Sequence, residues 1–233
     1  MAYIYSKNNV REAIKNNNAK EVFCTESNVE LINLAKQKGV SLKLVENKDI
    51  DRIVGKVKHQ GICAKISEYK YATLEEILDN KKQYPFIVML DGIEDPHNLG
   101  AIMRTCDAAG VDGIIIGKNR SVRLTDTVAC VSTGAIEYVK TCAVTNLTNT
   151  IRTLKKQGFW IVGAEVSDNS IKYNTMKYDM PVCLVVGSEG HGISSLVKQN
   201  CDVLVEIPMQ GHVNSLNVSV SCSILIYEII KYH

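Results

Sequence analysis

The sequence predicts an α/β protein, with a parallel sheet in its larger C-terminal part and a small α/β unit ahead of it. Three observations carry this. The strand-like runs between Phe86 and Pro208, such as FIVMLDG and PVCLVVG, are apolar throughout, as strands covered on both faces are. Helical segments alternate with them, the pattern of parallel strands joined by crossover helices. Ahead of Pro85 the polar stretch EYKYATLEEILDNKKQYP, with one short amphipathic helix, separates this series from a shorter one. It reads as a connection between domains.

In the first part, NNVREAIKN forms a helix with Val10 and Ile14 on one face, and EVFCT a strand. SNVELINLAKQKG is a helix opened by Ser27 as N-cap, with Glu30 three residues on, and closed by Gly39. LKLV is a strand, NKDIDRIVGK a helix and GICAKIS a strand. In the second part the strands are FIVMLDG, DGIIIG, YVKTCAV, FWIVGAEV, PVCLVVG and DVLVEIP. The helices are expected over His97–Ala109, Asp126–Ser132, Leu147–Gln157, Ile193–Lys198 and Ser215–Lys231. The expected domains are 1–66, a linker 67–84, and 85–233.

The 233 residues, 45% of them hydrophobic, suffice for a core without staples. The longest apolar runs fall far short of the roughly 20 residues that span a bilayer. The N-terminus has no apolar signal region, so a cytoplasmic protein is expected. The eight cysteines are scattered without a CxxC pair and mostly lie in apolar runs; they read as small buried hydrophobes in a reducing compartment. No His or Cys cluster has zinc spacing, so no metal is expected. The net charge of +2 hides an asymmetry. Residues 1–70 hold 13 Lys and Arg against 8 Asp and Glu, whereas residues 71–233 hold 14 against 17. A basic small part suits an anionic partner, or is a solvated Lys-rich surface.

Ligands of open parallel sheets bind beyond the carboxyl ends of the strands, and three segments stand there. In LDGIEDPHNLGAIMRTCDAAG, Asn98 and Arg104 fall on neighbouring faces of one helix start, about 120° from eclipsed. Arg104 can fork two hydrogen bonds to a phosphate; the bland alternative is Asn98 as a cap and Arg104 paired with Asp107. In CLVVGSEGHGIS, Gly187, Gly190 and Gly192 leave a strand for a helix, with Glu189 inside the turn. The spacing is neither GxGxxG nor a phosphate-binding GK[ST] loop. In VEIPMQGHVNSLNVSVSCSILIYEI, Ser215 and Asn217 open a helix apolar nearly all round, which implies burial on several sides.

The blocks PHNLGAIMRTCDAAG, VVGSEGHGIS and IPMQGHVNSLNVSV, in this order, resemble the three motifs of the SpoU (TrmH-type) family of SPOUT RNA 2′-O-ribose methyltransferases. The resemblance runs from about Phe86 to Tyr232. It implies a parallel sheet ending in a C-terminal trefoil knot, a homodimer, and S-adenosylmethionine as cofactor. It implies a cofactor pocket of Gly187, Ile207 and Leu216, with Met209 and Gly211 nearby. It implies reactive-site positions at Asn98, Arg104, Glu189, Ser215 and Asn217, all of which are present. Residues 1–66, through YIYSKNNVREAI and KHQGICAKI, resemble the small ribosomal-protein L30e-like domain often fused to these enzymes. Ser6 stands where its relatives commonly carry glycine.

The resemblance therefore implies an RNA methyltransferase acting on a ribose 2′-hydroxyl, most like bacterial enzymes that methylate a guanosine of large-subunit (23S) ribosomal RNA. The basic small domain would hold RNA phosphates. Competing readings are a transfer-RNA ribose methyltransferase, a non-catalytic RNA-binding or ribosome-assembly factor, and a nicotinamide-dependent oxidoreductase. The intact Asn98, Arg104 and Glu189 argue against the second, and the missing GxGxxG against the third. His97, His191 and His212 read as incidental neighbours of the motifs. His59, in the KHQG loop, reads likewise, with an RNA contact as the sharper alternative.

Overall fold

The computed structural model describes residues 2–80 and 82–233. Met1 and Lys81, which fall in the expected small domain and linker, lie outside them. The chain forms two compact units: one from the chain up to Lys70 together with Leu124–Tyr138, the other from Tyr71–Arg123 and Val139–His233.

The smaller unit runs β1 (Ala2–Tyr5), α1 (Lys7–Lys15), β2 (Ala19–Cys24), α2 (Val29–Gln37), β3 (Ser41–Leu44), α3 (Asn47–Val54) and β4 (Ile62–Ile66). Its four-stranded sheet has the order β1-β4-β2-β3, with β4 antiparallel to both neighbours and β2 parallel to β3. Strand β1 went unread because its four residues are too few for a period to register. Ser27 is not the cap of α2. Asn28 holds that position, and Ser27 Oγ meets Thr25 Oγ1 at 2.9 Å instead. The side chain of Asn28 turns to the 59–61 turn, donating to Gly61 O at 2.8 Å. His59 is buried there, its Nδ1 accepting from Gly61 N (3.0 Å) and its Nε2 facing Asp51 (3.3 Å). It holds this turn.

The larger unit starts with α4 (Leu74–Leu78), inside the expected linker. A capping box of Thr73 and Glu76 opens it, and Ile77 is fully buried in the core beneath the sheet. Part of the linker is thus core. There follow β5 (Phe86–Asp91), α5 (Pro96–Ala109), β6 (Gly113–Gly117), α6 (Asp126–Ser132), β7 (Thr141–Val144), α7 (Leu147–Lys156), β8 (Trp160–Ala164), β9 (Ile171–Lys172), β10 (Val182–Gly187), α8 (Ser195–Gln199), β11 (Val203–Glu206) and α9 (Val218–Ile229). The seven strands pair in parallel in the order β7-β6-β5-β10-β8-β11-β9. Every residue of β10 is buried, as the unbroken apolar run required. Ile87, Met89, Cys183 and Val185 pack with α4, α7 and α8 on one face, while α5 and α9 pack together elsewhere in the unit, α9 against β10. Helix α6 belongs to the smaller unit, where Asp126 accepts from Tyr3 N at 3.3 Å.

All eight cysteines are free. Burial pushes the Cys63, Cys201 and Cys222 thiols up to about 12, which keeps them protonated and unreactive. Among the described residues, no helix is long and apolar enough to cross a membrane, and no group of three or more acidic, His or Cys side chains is placed to hold a metal ion.

Candidate active site

The chain leaves β5 at Asp91 and enters α5 through Asp95, whose Oδ1 accepts from His97 N at 2.8 Å, with Pro96 at the first helical position. Asp95 is therefore the cap, and Asn98 is free to turn inward, where it is buried. Its Nδ2 donates to Glu189 Oε1 at 3.1 Å. Asn217 Nδ2 donates to Asn98 Oδ1 (3.0 Å) and to Glu189 Oε1 (2.9 Å). Three segments more than twenty residues apart in sequence thus meet in one hydrogen-bonded triangle. Asn217 is also the N-cap of α9, its Oδ1 accepting from Ser219 N at 2.9 Å. The helix consequently begins at Val218, three residues later than expected, and Ser215 lies in the loop before it.

Glu189 sits in a tight turn after β10. Ser188 and Gly192 exchange both backbone hydrogen bonds, at 3.1 and 3.0 Å. A Cβ on Gly187 would fall 2.0 Å from Gly192 C, so only glycine lets the turn fold back on its strand. The turn is fastened from β8: Glu165 accepts from Ile193 N (3.2 Å) and pairs with Lys198 Nζ (3.1 Å). Ser194 N donates to Asp91 Oδ2 at 2.8 Å. Glu165 went unread in the sequence; the signal that could have found it is its place just past the carboxyl end of a parallel strand.

A cavity of about 610 Å³ opens at the carboxyl ends of β8, β10 and β11, within the range of small-molecule sites. Gly187, Ile207, Met209 and Leu216 line it, with Glu189, Ser215 and Asn217. Gly211 is exposed and does not. Glu165 and Glu206 are on the wall as well, and among the described residues no Lys, Arg or His is. Arg104 does not join the triangle: it is exposed on α5, and no ion pair among the described residues holds it. His97, His191 and His212 are exposed and outside the cavity wall.

Fold and site together define a class: a parallel-sheet protein whose small-molecule cavity lies at the strand ends and carries, among the described residues, carboxylates without cations. Residues 85–227 match the SpoU rRNA methylase family, and residues 3–72 match the RNA 2′-O ribose methyltransferase substrate-binding family. The protein YacO of Bacillus subtilis, named as a TrmH family tRNA/rRNA methyltransferase, is 42% identical over 238 residues, covering 98% of this chain and 95% of its own. A Staphylococcus haemolyticus protein named to the same family is 47% identical over 205 residues, covering 87% of this chain and 82% of its own. The fold matches an AdoMet-bound rRNA methyltransferase from Sinorhizobium meliloti with TM-score 0.83 at 24% identity, over 99% of this chain and 87% of that one. An A. aeolicus TrmH/SpoU tRNA modifying enzyme matches with TM-score 0.60 at 32% identity, over 68% of this chain and 80% of its own. The chain belongs to the SpoU rRNA methylase family and is an RNA methyltransferase.

Proposed function

We propose that this chain transfers a methyl group from S-adenosylmethionine to a ribose 2′-hydroxyl, in a guanosine of large-subunit (23S) ribosomal RNA. The observation that carries the reading is the cavity without cations beside the Asn98–Glu189–Asn217 triangle. A dinucleotide or nucleoside triphosphate would bring phosphates against Glu189 and Glu206, with Glu165 already paired to Lys198, a repulsive arrangement where helix starts and basic groups usually serve. A cofactor carrying a sulfonium cation suits those carboxylates. Gly187, Ile207, Met209 and Leu216 would hold it; Gly211 enters that set by resemblance alone.

The cofactor supplies a methyl group already activated on sulfur. The chain's task is to hold the nucleophile in line and to stabilise the charge that develops on a weakly acidic hydroxyl. Asn98 orients Glu189 and Asn217 through the triangle, and Glu189, Ser215 and Asn217 steer the hydroxyl. Arg104 keeps its charge at any working pH, so its role is electrostatic: paired with an RNA phosphate, it stabilises the developing alkoxide. Its exposure leaves it open to RNA. The assignment to guanosine and to 23S RNA rests on the resemblance, and so does the trefoil knot at the C-terminal segment. The resemblance also implies a homodimer, to which α9 lends support: it is apolar nearly all round, and Val220 and Tyr227 remain 47% and 50% exposed. Residues 1–66 would serve as the RNA-holding domain of a cytoplasmic enzyme.

The test is transfer from methyl-labelled S-adenosylmethionine to RNA fractions from a host lacking the enzyme, with the nucleosides identified by mass spectrometry. Labelled 2′-O-methylguanosine in the large-subunit fraction is the expected product. Label confined to transfer RNA would replace the substrate assignment, and a methylated base would overturn the ribose assignment.

A further inference from the structure

The loop after β6 runs Lys118, Asn119, Arg120, Ser121, Val122, Arg123: three cations and no carboxylate, in a part of the chain where acidic residues outnumber basic ones. Two backbone bonds anchor it. Lys118 N donates to Val144 O and Val122 N to Ile93 O, both at 2.8 Å. The second ties it to the segment between β5 and α5, just ahead of Asn98. A Cβ on Gly92 would meet Ser188 Cβ at 3.4 Å and the Arg120 carbonyl at 4.0 Å, so Arg120 and Ser188 flank the same glycine. Ser188 is the neighbour of Glu189, and the loop therefore stands beside the triangle.

Arg120 has φ 53°, a left-handed backbone that glycine or asparagine adopts at lower cost. Lys118, Arg120 and Arg123 are exposed, and no ion pair among the described residues neutralises any of them. Among the described residues, the wall of the cavity itself carries carboxylates and no cation. A polyanion approaching it meets repulsion there, and fixed cations beside the triangle offset that.

We infer that Arg120 and Arg123 bind backbone phosphates of the RNA flanking the target ribose, giving the catalytic unit an RNA contact of its own apart from the basic small domain. This rests on the reading of the chain as an RNA-modifying enzyme. Each phosphate neutralised by a cation contributes about 0.7 to 0.9 to the slope of log affinity against log salt.

The test compares the parent, the double variant Arg120→Asn/Arg123→Gln, and Arg152→Gln, which removes an exposed arginine on α7. Binding of deproteinised ribosomal RNA is measured by filter retention between about 50 and about 200 mM salt, alongside cofactor affinity and the thermal midpoint. The double variant is expected to lose about 1.5 from the slope, with cofactor affinity and midpoint kept and Arg152→Gln like the parent. An unchanged slope in the double variant, the same loss in Arg152→Gln, or a parent that does not bind the RNA would overturn the inference. Binding needs no turnover. A parent that binds with the expected slope yet transfers no methyl group would sink the ribose-methylation reading and leave these phosphate contacts standing.

Discussion

Ser6 takes φ 80° and ψ 150° where the chain turns into α1. An L side chain in that region costs about 1–3 kcal/mol, and glycine returns roughly 0.5–1 kcal/mol of that by loosening the unfolded chain. Ser6→Gly is expected to raise stability by about 1 kcal/mol, read as a higher denaturant midpoint at unchanged slope; an unmoved midpoint would show that the turn is not strained. The resemblance had singled out this position through the glycine its relatives carry, and the backbone supplies the physical reason. Arg104→Ala is expected to cut methyl transfer about 10²-fold or more with cofactor affinity intact, since Arg104 is outside the cavity wall. Near-normal turnover would remove its assigned role. Asn98, Glu189 and Asn217 were legible because each sits in a motif at a strand or helix end. That they bond to one another was not, because sequence order carries no distances.

Glu165 belongs to the scale of elements: one carboxylate past β8 fastens the turn that joins β10 to α8. Removing it leaves Ile193 N and Lys198 without their partner, a loss of about 1–3 kcal/mol in the order of the turn. Glu165→Ala is expected to weaken cofactor binding about tenfold or more with kcat at saturation little changed. Lys198→Met, away from the cavity wall, should weaken it in the same direction. If only Glu165→Ala has an effect, the carboxylate acts by touching the cofactor and not by holding the turn. Elements were legible where apolar periodicity was long. Strand β9 has two residues, too few for any period to register. Helix α2 takes Asn28 and not Ser27 at its cap position, and α9 starts at Val218 and not at Ser215 because the Asn217 side chain caps it.

At the scale of the whole molecule, the sequence order conceals that Leu124–Tyr138 joins the small unit. Side-chain pattern reports which face of an element is buried, not which unit buries it. His233 is expected to give the larger unit a pH dependence. His233 is exposed overall, but its ring packs against Phe86 and Tyr84; that partial burial, followed by nearby Lys82, lowers its pKa, while hydrogen bonds to the Tyr178 and Met180 backbone and Asp112 act the other way. Below the ordinary histidine value of about 6.5 the unfolded chain binds a proton that the folded chain still refuses. The stability due to neutral His233 is thus complete above that value and is lost as pH falls through the lower, folded one. Thermal midpoints at about pH 7.5 and about pH 5.5 should differ less in His233→Gln than in the parent; an equal difference would place the acid sensitivity elsewhere.

In the proposed function the triangle and cavity direct the methyl group to a ribose oxygen. A 2′-O-methyl group blocks attack on the adjacent phosphodiester, so alkaline hydrolysis of the labelled RNA separates the possibilities. Label recovered in alkali-stable dinucleotides, and lost in an Asn98→Ala variant that still binds cofactor, is the expected result. Label recovered in mononucleotides would put the methyl group on a base and contradict the account.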